Sequence, residues 1–247
     1  MVSSEKIVPK RVLLKISGEA LLGEGSYGID PKIANAIVSD IANVVKSGVE
    51  VCLVIGGGNI FRGMTAASKG IDRVHGDYAG MLATVINAIV LHNVLEQHHI
   101  ESCIMSAIDI PQIAENYVRN KAISHIKQGR VVIFAAGTGN PYFTTDTAAA
   151  LRAIEMGCDI MLKGTQVDGV YDSDPKNNPD AKRYDTITYS EALIKELNIM
   201  DATAFSLAQD NKLPMIVFNV HKEGNFENVL LGNGVCTRVV ASSSNHK

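Results

Sequence analysis

The sequence predicts an α/β protein built on a mostly parallel central sheet with helices on both faces. Six short runs rich in Val, Ile and Leu are continuously apolar rather than alternating, as strands buried on both faces are. Segments of helical periodicity separate them, the order of successive βαβ units. Glycine, hydroxyl and basic residues recur just after these runs, where open parallel sheets bind ligands.

The first strand is RVLLKI, residues 11–16. Asp30-Pro31 then opens a helix, with Asp as N-cap and Pro in the first turn, and Ser47-Gly48 closes it. VEVCLVI (49–55) is the second strand and residues 74–98 the second helix. ESCIMS (101–106) leads to a helix over 117–128, and VVIFAA (131–136) to one over 146–156. DIMLK (159–163) is followed by two helices, 190–197 and 201–211, and MIVFN (215–219) is the last strand expected. No internal repeat or low-complexity linker divides residues 1–247, so the chain reads as one compact unit, with Ser242, Ser243 and Ser244 in a frayed tail.

With 23 basic and 26 acidic residues and no long run of either sign, the chain offers no electrostatic reason to expect a nucleic acid or membrane partner. The most apolar long segment, residues 79–95, contains Thr84, Asn87, His92 and Asn93. That polarity and length predict a helix buried in the protein or at a subunit interface rather than a membrane span. Cys52, Cys103, Cys158 and Cys236 are scattered, without a C-x-x-C pair, and read as free thiols of a reducing, cytoplasmic compartment. The N-terminal residues lack the apolar core of a signal peptide. The seven histidines form no H-E-x-x-H, so no zinc site is expected.

The residues just after the strands are Lys15-Ile16-Ser17-Gly18, then Gly56-Gly57-Gly58-Asn59 running on to Arg62, Gly137-Thr138-Gly139-Asn140, Lys163-Gly164-Thr165, and Asn219. Glycines let consecutive backbone N–H groups converge on an anion, helix N-termini add partial positive charge, and Lys15, Arg62 and Lys163 add full charges. Together they form a site for several phosphate groups. Each piece also has a plain structural account: the GGG run as a tight turn, the lysines as solvated strand ends, Thr144 or Thr145 as an N-cap, and Asp146 as a first-turn acid. No G-x-x-x-x-G-K-[ST] occurs, and GTGNPYF puts Tyr142 where the third glycine of a dinucleotide fingerprint belongs. Magnesium carried in by nucleotide phosphates needs few protein carboxylates or none, so the sequence leaves it open. The connection AAGTGNPYFTTDTAAA (135–150) exceeds what joining a strand to a helix requires.

The stretches LLKISGEAL, VIGGGNIFRG, GDYAGMLATVINA, AAGTGNPYFTTDTAAALRAIE and LKGTQVDGVYDSDP, in this order, resemble the successive motifs of the bacterial-type uridylate kinase family of the amino acid kinase superfamily. The likeness covers about residues 10–240. It implies a three-layer αβα sandwich of the carbamate kinase-like type, with an acceptor half at about 10–150 and an ATP half at about 151–240. It implies transfer of the γ-phosphoryl of Mg-ATP to UMP, giving UDP and ADP. By resemblance, Lys15, Lys163, Asp146 and Arg62 are catalytic. Lys15, Ile16, Ser17, Gly18, Gly58, Arg62, Thr165, Tyr171 and Asp174 contact ATP. Gly57, Asp77, Thr138, Gly139, Asn140, Pro141, Tyr142, Phe143, Thr144 and Thr145 contact UMP, and Asp201 is a candidate for placing the metal. The family pattern further implies a homohexamer activated by GTP and inhibited by UTP. GEGSYG (23–28) matches the GTP-response segment in position and outer glycines but differs inside, and Gln166 stands where many members carry Lys.

Overall fold

The computed structural model describes residues 9–61, 70–175, 177–197 and 199–241. Among these, nine strands form one sheet in the order β4-β3-β5-β2-β1-β6-β8-β9-β7. They are β1 (Arg11–Ile16), β2 (Glu50–Ile55), β3 (Ser102–Ser106), β4 (Glu115–Asn116), β5 (Val131–Ala135), β6 (Ile160–Thr165), β7 (Thr186–Thr188), β8 (Met215–Asn219) and β9 (Cys236–Val240). The six strands read from the sequence form one contiguous parallel run: β1 pairs with β2 and β6, β5 with β2 and β3, and β8 with β6. β8 and β9 run antiparallel, a reversal absent from the sequence expectation.

The helices are α1 (Pro31–Lys46), α2 (Arg73–Gln97), α3 (Arg119–Lys127), α4 (Thr145–Met156), α5 (Tyr189–Ile194), α6 (Ala202–Asp210) and α7 (Asn225–Leu230). A 3-10 turn over Gly18–Leu21 follows β1. Asp30 caps α1 as expected, its carboxylate accepting from Lys32 N at 2.8 Å and Ile33 N at 3.4 Å. Thr144, not Thr145, caps α4, and Gly157 ends it in the left-handed conformation that glycine adopts without penalty. Helix α5 is shorter than 190–197, because the chain turns at Glu196, whose φ is 53°.

Side chains alternate across each strand, and that alternation builds two cores. Val12, Leu14, Ile16, Leu53 and Ile55 face α1, α2 and α7 through Ile37, Ile41, Leu91 and Phe226. Leu13, Cys52, Val54 and Met161 face the other layer, meeting Ala149, Ala153, Ile126, Tyr189 and Phe205. The result is three layers, αβα. Alanines on the sheet side of α4 let that helix lie close to the strands, so its first turn reaches the carboxyl ends of β1 and β6.

At 25 residues α2 is long enough to cross a bilayer, yet half of its most apolar stretch is buried inside the protein, as in a core helix.

Candidate active site

Lys15 and Lys163 end the alternation on the α4 side of β1 and β6, where they are register partners across a parallel pair. Two adjacent ammonium groups repel each other, and the arrangement holds because an anion lies between them. Asp146, in the first turn of α4, places Oδ1 at 2.8 Å from Lys15 Nζ and Oδ2 at 2.8 Å from Lys163 Nζ. Lys163 Nζ also donates to the carbonyl of Ile199 at 2.5 Å. Burial alone raises the Asp146 carboxyl; the two ammonium groups outweigh it and hold the group below its ordinary 3.8. Burial lowers Lys163 below its ordinary 10.5 against the pull of Asp146, and the neighbouring Lys15 charge pushes the same way.

The glycine loop after β2 is fixed from beneath. Asn59 and Asn87 exchange side-chain hydrogen bonds of 3.0 and 2.7 Å in the interior, while Asn87 Nδ2 donates to Gly56 O at 2.6 Å and Asn59 Nδ2 to Gly28 O at 2.8 Å. A Cβ on Gly18 would meet Asn59 Oδ1 at 2.4 Å and Gly58 N at 2.7 Å, and one on Gly56 would meet Gly18 N at 2.8 Å and Thr145 Oγ1 at 3.5 Å. The Lys15–Gly18 segment, the Gly56–Gly58 loop and the start of α4 therefore converge so closely that side chains at these glycines do not fit. Ile16, expected to touch the nucleotide, is fully buried in the core, leaving only its backbone for the purpose; its carbonyl accepts from Gly56 N at 2.8 Å.

The loop from β5 to α4 runs through left-handed φ at Ala136, Gly137, Gly139 and Tyr142. Thr138 and Asn140 hydrogen-bond each other within it, and Asp77 on α2 accepts from Tyr142 N at 2.8 Å. Tyr142 and Phe143 are exposed, so Phe143 presents a ring rather than packing it away. Thr144 and Thr147 donate to the carboxylate of Asp201, which also caps α6 by accepting from Ala204 N at 2.9 Å. Asp201 thus ties α4 to α6 and has its oxygens engaged.

On the other side of the lysine pair lies a cleft of about 680 Å³ lined by Ser17, Lys163, Thr165, Tyr171, Asp174, Leu197 and Ile199. Its outer wall is a folded loop: Tyr171 pairs with Arg183, Asp172 Oδ1 accepts from Lys182 N at 2.9 Å, and Val170 N donates to Thr237 Oγ1 at 2.8 Å. The Thr165 hydroxyl closes a turn, donating to Val167 O at 2.9 Å. Gln166 donates to Glu19 O at 3.3 Å, bridging the loop to the 3-10 turn.

The expected residues fall into two groups meeting at the lysine pair: Ser17, Thr165, Tyr171 and Asp174 in the cleft, and Gly57, Asp77 and residues 138–145 on the opposite side. Arg62 lies outside the described residues. The Asn59–Asn87 pair and the segment carrying Leu197 and Ile199 went unassigned in the sequence reading; a buried Asn in an apolar helix was the available signal for Asn87.

The Amino acid kinase family profile matches residues 10–219. Over 230 residues the chain is 54% identical to the uridylate kinase of Erythrobacter litoralis (strain HTCC2594), covering 93% of this chain and 97% of that protein. It is 57% identical over 230 residues to the uridylate kinase of Bartonella bacilliformis (strain ATCC 35685 / KC583 / Herrer 020/F12,63), covering 93% and 96%. The crystal structure of UMP kinase from Bacillus anthracis superposes with a TM-score of 0.91 at 41% identity, covering 95% of this chain and 97% of that one. Two lysines paired on one carboxylate beside a glycine loop, on this sheet and with these relatives, lead to one assignment: the chain belongs to the amino acid kinase family, as a phosphotransferase of its uridylate kinase branch.

Proposed function

We propose that this chain transfers the γ-phosphoryl group of ATP to UMP, giving ADP and UDP. The observation that carries the reading is the pair Lys15 and Lys163, clamped on Asp146 between a nucleotide-sized cleft and the long acceptor loop. Charge in phosphoryl transfer spreads over the oxygens of the moving group, so fixed cations supply most of what the protein can contribute. Lys15 and Lys163 neutralise that charge and Asp146 holds them in place. Ser17, Gly18 and Gly58 cradle the ATP phosphates with Arg62, while Thr165, Tyr171 and Asp174 hold its base and ribose. Gly57, Asp77 and residues 138–145 receive UMP, with Thr145 beside the glycine loop at the acceptor phosphate. This divides the chain into an acceptor half at about 10–150 and an ATP half at about 151–240.

Magnesium brought in with ATP would supply further charge neutralisation. An ion held mainly by phosphate oxygens needs few protein carboxylates or none. The oxygens of Asp201 already accept from Thr144, Thr147 and Ala204 N, which fits a strut better than a metal ligand. We further place the protein in the cytoplasm as a homohexamer, activated by GTP and inhibited by UTP. The half-exposed apolar stripe Tyr78, Leu82, Ile86 and Ile89 on α2 supports self-association.

ADP release with Mg-ATP, comparing UMP, CMP, dUMP, glutamate, aspartate and carbamate, tests the reading. Turnover with UMP and its loss in EDTA are the expected results. Turnover with a small acid instead overturns the acceptor assignment, and ATP binding without turnover overturns catalysis.

A further inference from the structure

We propose that Arg73 is a positioning residue of the acceptor site, aiming the Asp77 carboxylate and latching the acceptor loop so that the site favours a ribonucleotide over its 2′-deoxy counterpart. The inference rests on the reading of residues 138–145 and Asp77 as the UMP site.

Arg73 and Asp77 lie one turn apart at the start of α2. Arg73 Nε donates to both Asp77 oxygens, at 2.9 and 2.8 Å, and Tyr142 N donates to Asp77 Oδ2 at 2.8 Å. The Arg73 guanidinium also lies 5.6 Å from the centre of the Tyr142 ring, within cation–π range. The three residues close a cycle: charge from Arg73 to Asp77, backbone from Asp77 to Tyr142, ring from Tyr142 back to Arg73. Tyr142 holds a φ of 72°, which a bulky residue keeps only when its surroundings enforce it. Among the described residues, the bond to Asp77 is the one hydrogen bond from residues 140–143 to anything outside the loop.

An ionised carboxylate has about four lone-pair positions. Arg73 and Tyr142 make one contact to Oδ1 and two to Oδ2, which leaves acceptor capacity chiefly on Oδ1. Hydroxyl donors are what a carboxylate so held can read, and a ribose offers one more than a 2′-deoxyribose. With Arg73 removed, Asp77 keeps a single backbone partner and turns freely about it, and the loop loses its ring contact. A lysine retains charge without the planar group that fixes both oxygens.

The test is Arg73→Ala and Arg73→Lys in the full chain, with two readouts. The first is amide hydrogen exchange across residues 137–143 without nucleotide, which reports the latch whatever the acceptor proves to be. Exchange there rises in Arg73→Ala and stays closer to wild type in Arg73→Lys; unchanged exchange in Arg73→Ala overturns the latch. The second is kcat/KM for UMP and dUMP. Loss of a charge-assisted contact lowers the UMP to dUMP ratio by about tenfold, mainly through the KM for UMP. A ratio unchanged in Arg73→Ala, with both acceptors weakened alike, overturns the specificity role. Failure of wild-type protein to phosphorylate UMP counts against the acceptor assignment and leaves the exchange result to decide the latch.

Discussion

Lys15 and Lys163 are direct register partners on adjacent parallel strands, and each ammonium group lies 2.8 Å from a different oxygen of Asp146. The relationship is a consequence of strand geometry. Leu13 and Met161 point to the α4 layer, so two residues further on Lys15 and Lys163 do as well, and the pairing puts them side by side.

Lys15→Ala removes one of the two charges without touching the acceptor loop. Its kcat falls about a hundredfold or more, the size of losing one preorganised electrostatic contact, while the KM for UMP changes far less. Steady-state kinetics at saturating ATP reads the split; equal effects on both parameters contradict a role in the transition state.

Asp146 also makes a pH prediction. Its folded carboxyl titrates below the ordinary 3.8, so the unfolded chain takes up the proton first as pH falls. The ion-pair contribution to stability is therefore complete above the unfolded value and is lost as pH drops through the folded one. Urea unfolding of wild type and Asp146→Asn shows a constant difference near neutral pH that closes only in acid, below about pH 4. A difference that closes near pH 6 contradicts the assignment.

Asn87→Ala leaves the buried Asn59 amide with only its bond to Gly28 O and takes the side-chain donor from the Gly56 carbonyl. Stability falls by about 2 kcal/mol, seen as a Tm lower by about 4–8 °C. Because the same amide supports the glycine loop, affinity for nucleotide falls as well, measurable by calorimetry with an ATP analogue.

Leu82→Glu combined with Ile86→Glu charges the exposed stripe of α2 while leaving its buried face intact. Light scattering coupled to gel filtration gives a smaller assembly than wild type, with unchanged helix content by circular dichroism. An unchanged assembly places the subunit contacts elsewhere.

Much of this was legible in the sequence because buried parallel strands announce themselves. RVLLKI and MIVFN match β1 and β8 residue for residue, and Asp30-Pro31 marks a helix start through capping chemistry alone, whereas Thr144 and Thr145 are equal candidates until the structure selects Thr144. The elements that escaped are short. β4 is two exposed residues, β7 is three, and α7 begins at a glycine with positive φ and no side-chain cap. Such pieces lack the length for a periodic pattern and form because neighbours already in place accept them. β9 alternates around the exposed Arg238 and pairs antiparallel to β8, a direction that composition does not encode. For the site, residue types after the strands pointed to phosphate, but the struts beneath it did not stand out. Asn87 reads as one polar residue in an apolar helix, and Asp201 as a candidate for placing the metal rather than as a tie between two helices.

The hydrogen bond from Lys163 to the Ile199 carbonyl joins two parts of the site that are separate in sequence. Ile199 belongs to the wall of the cleft that Tyr171 and Asp174 also line, and two residues on Asp201 accepts from Thr144 and Thr147 at the start of the helix bearing Asp146. The cleft wall, Lys163 and the helix that pins it are therefore one tied unit rather than three separate parts.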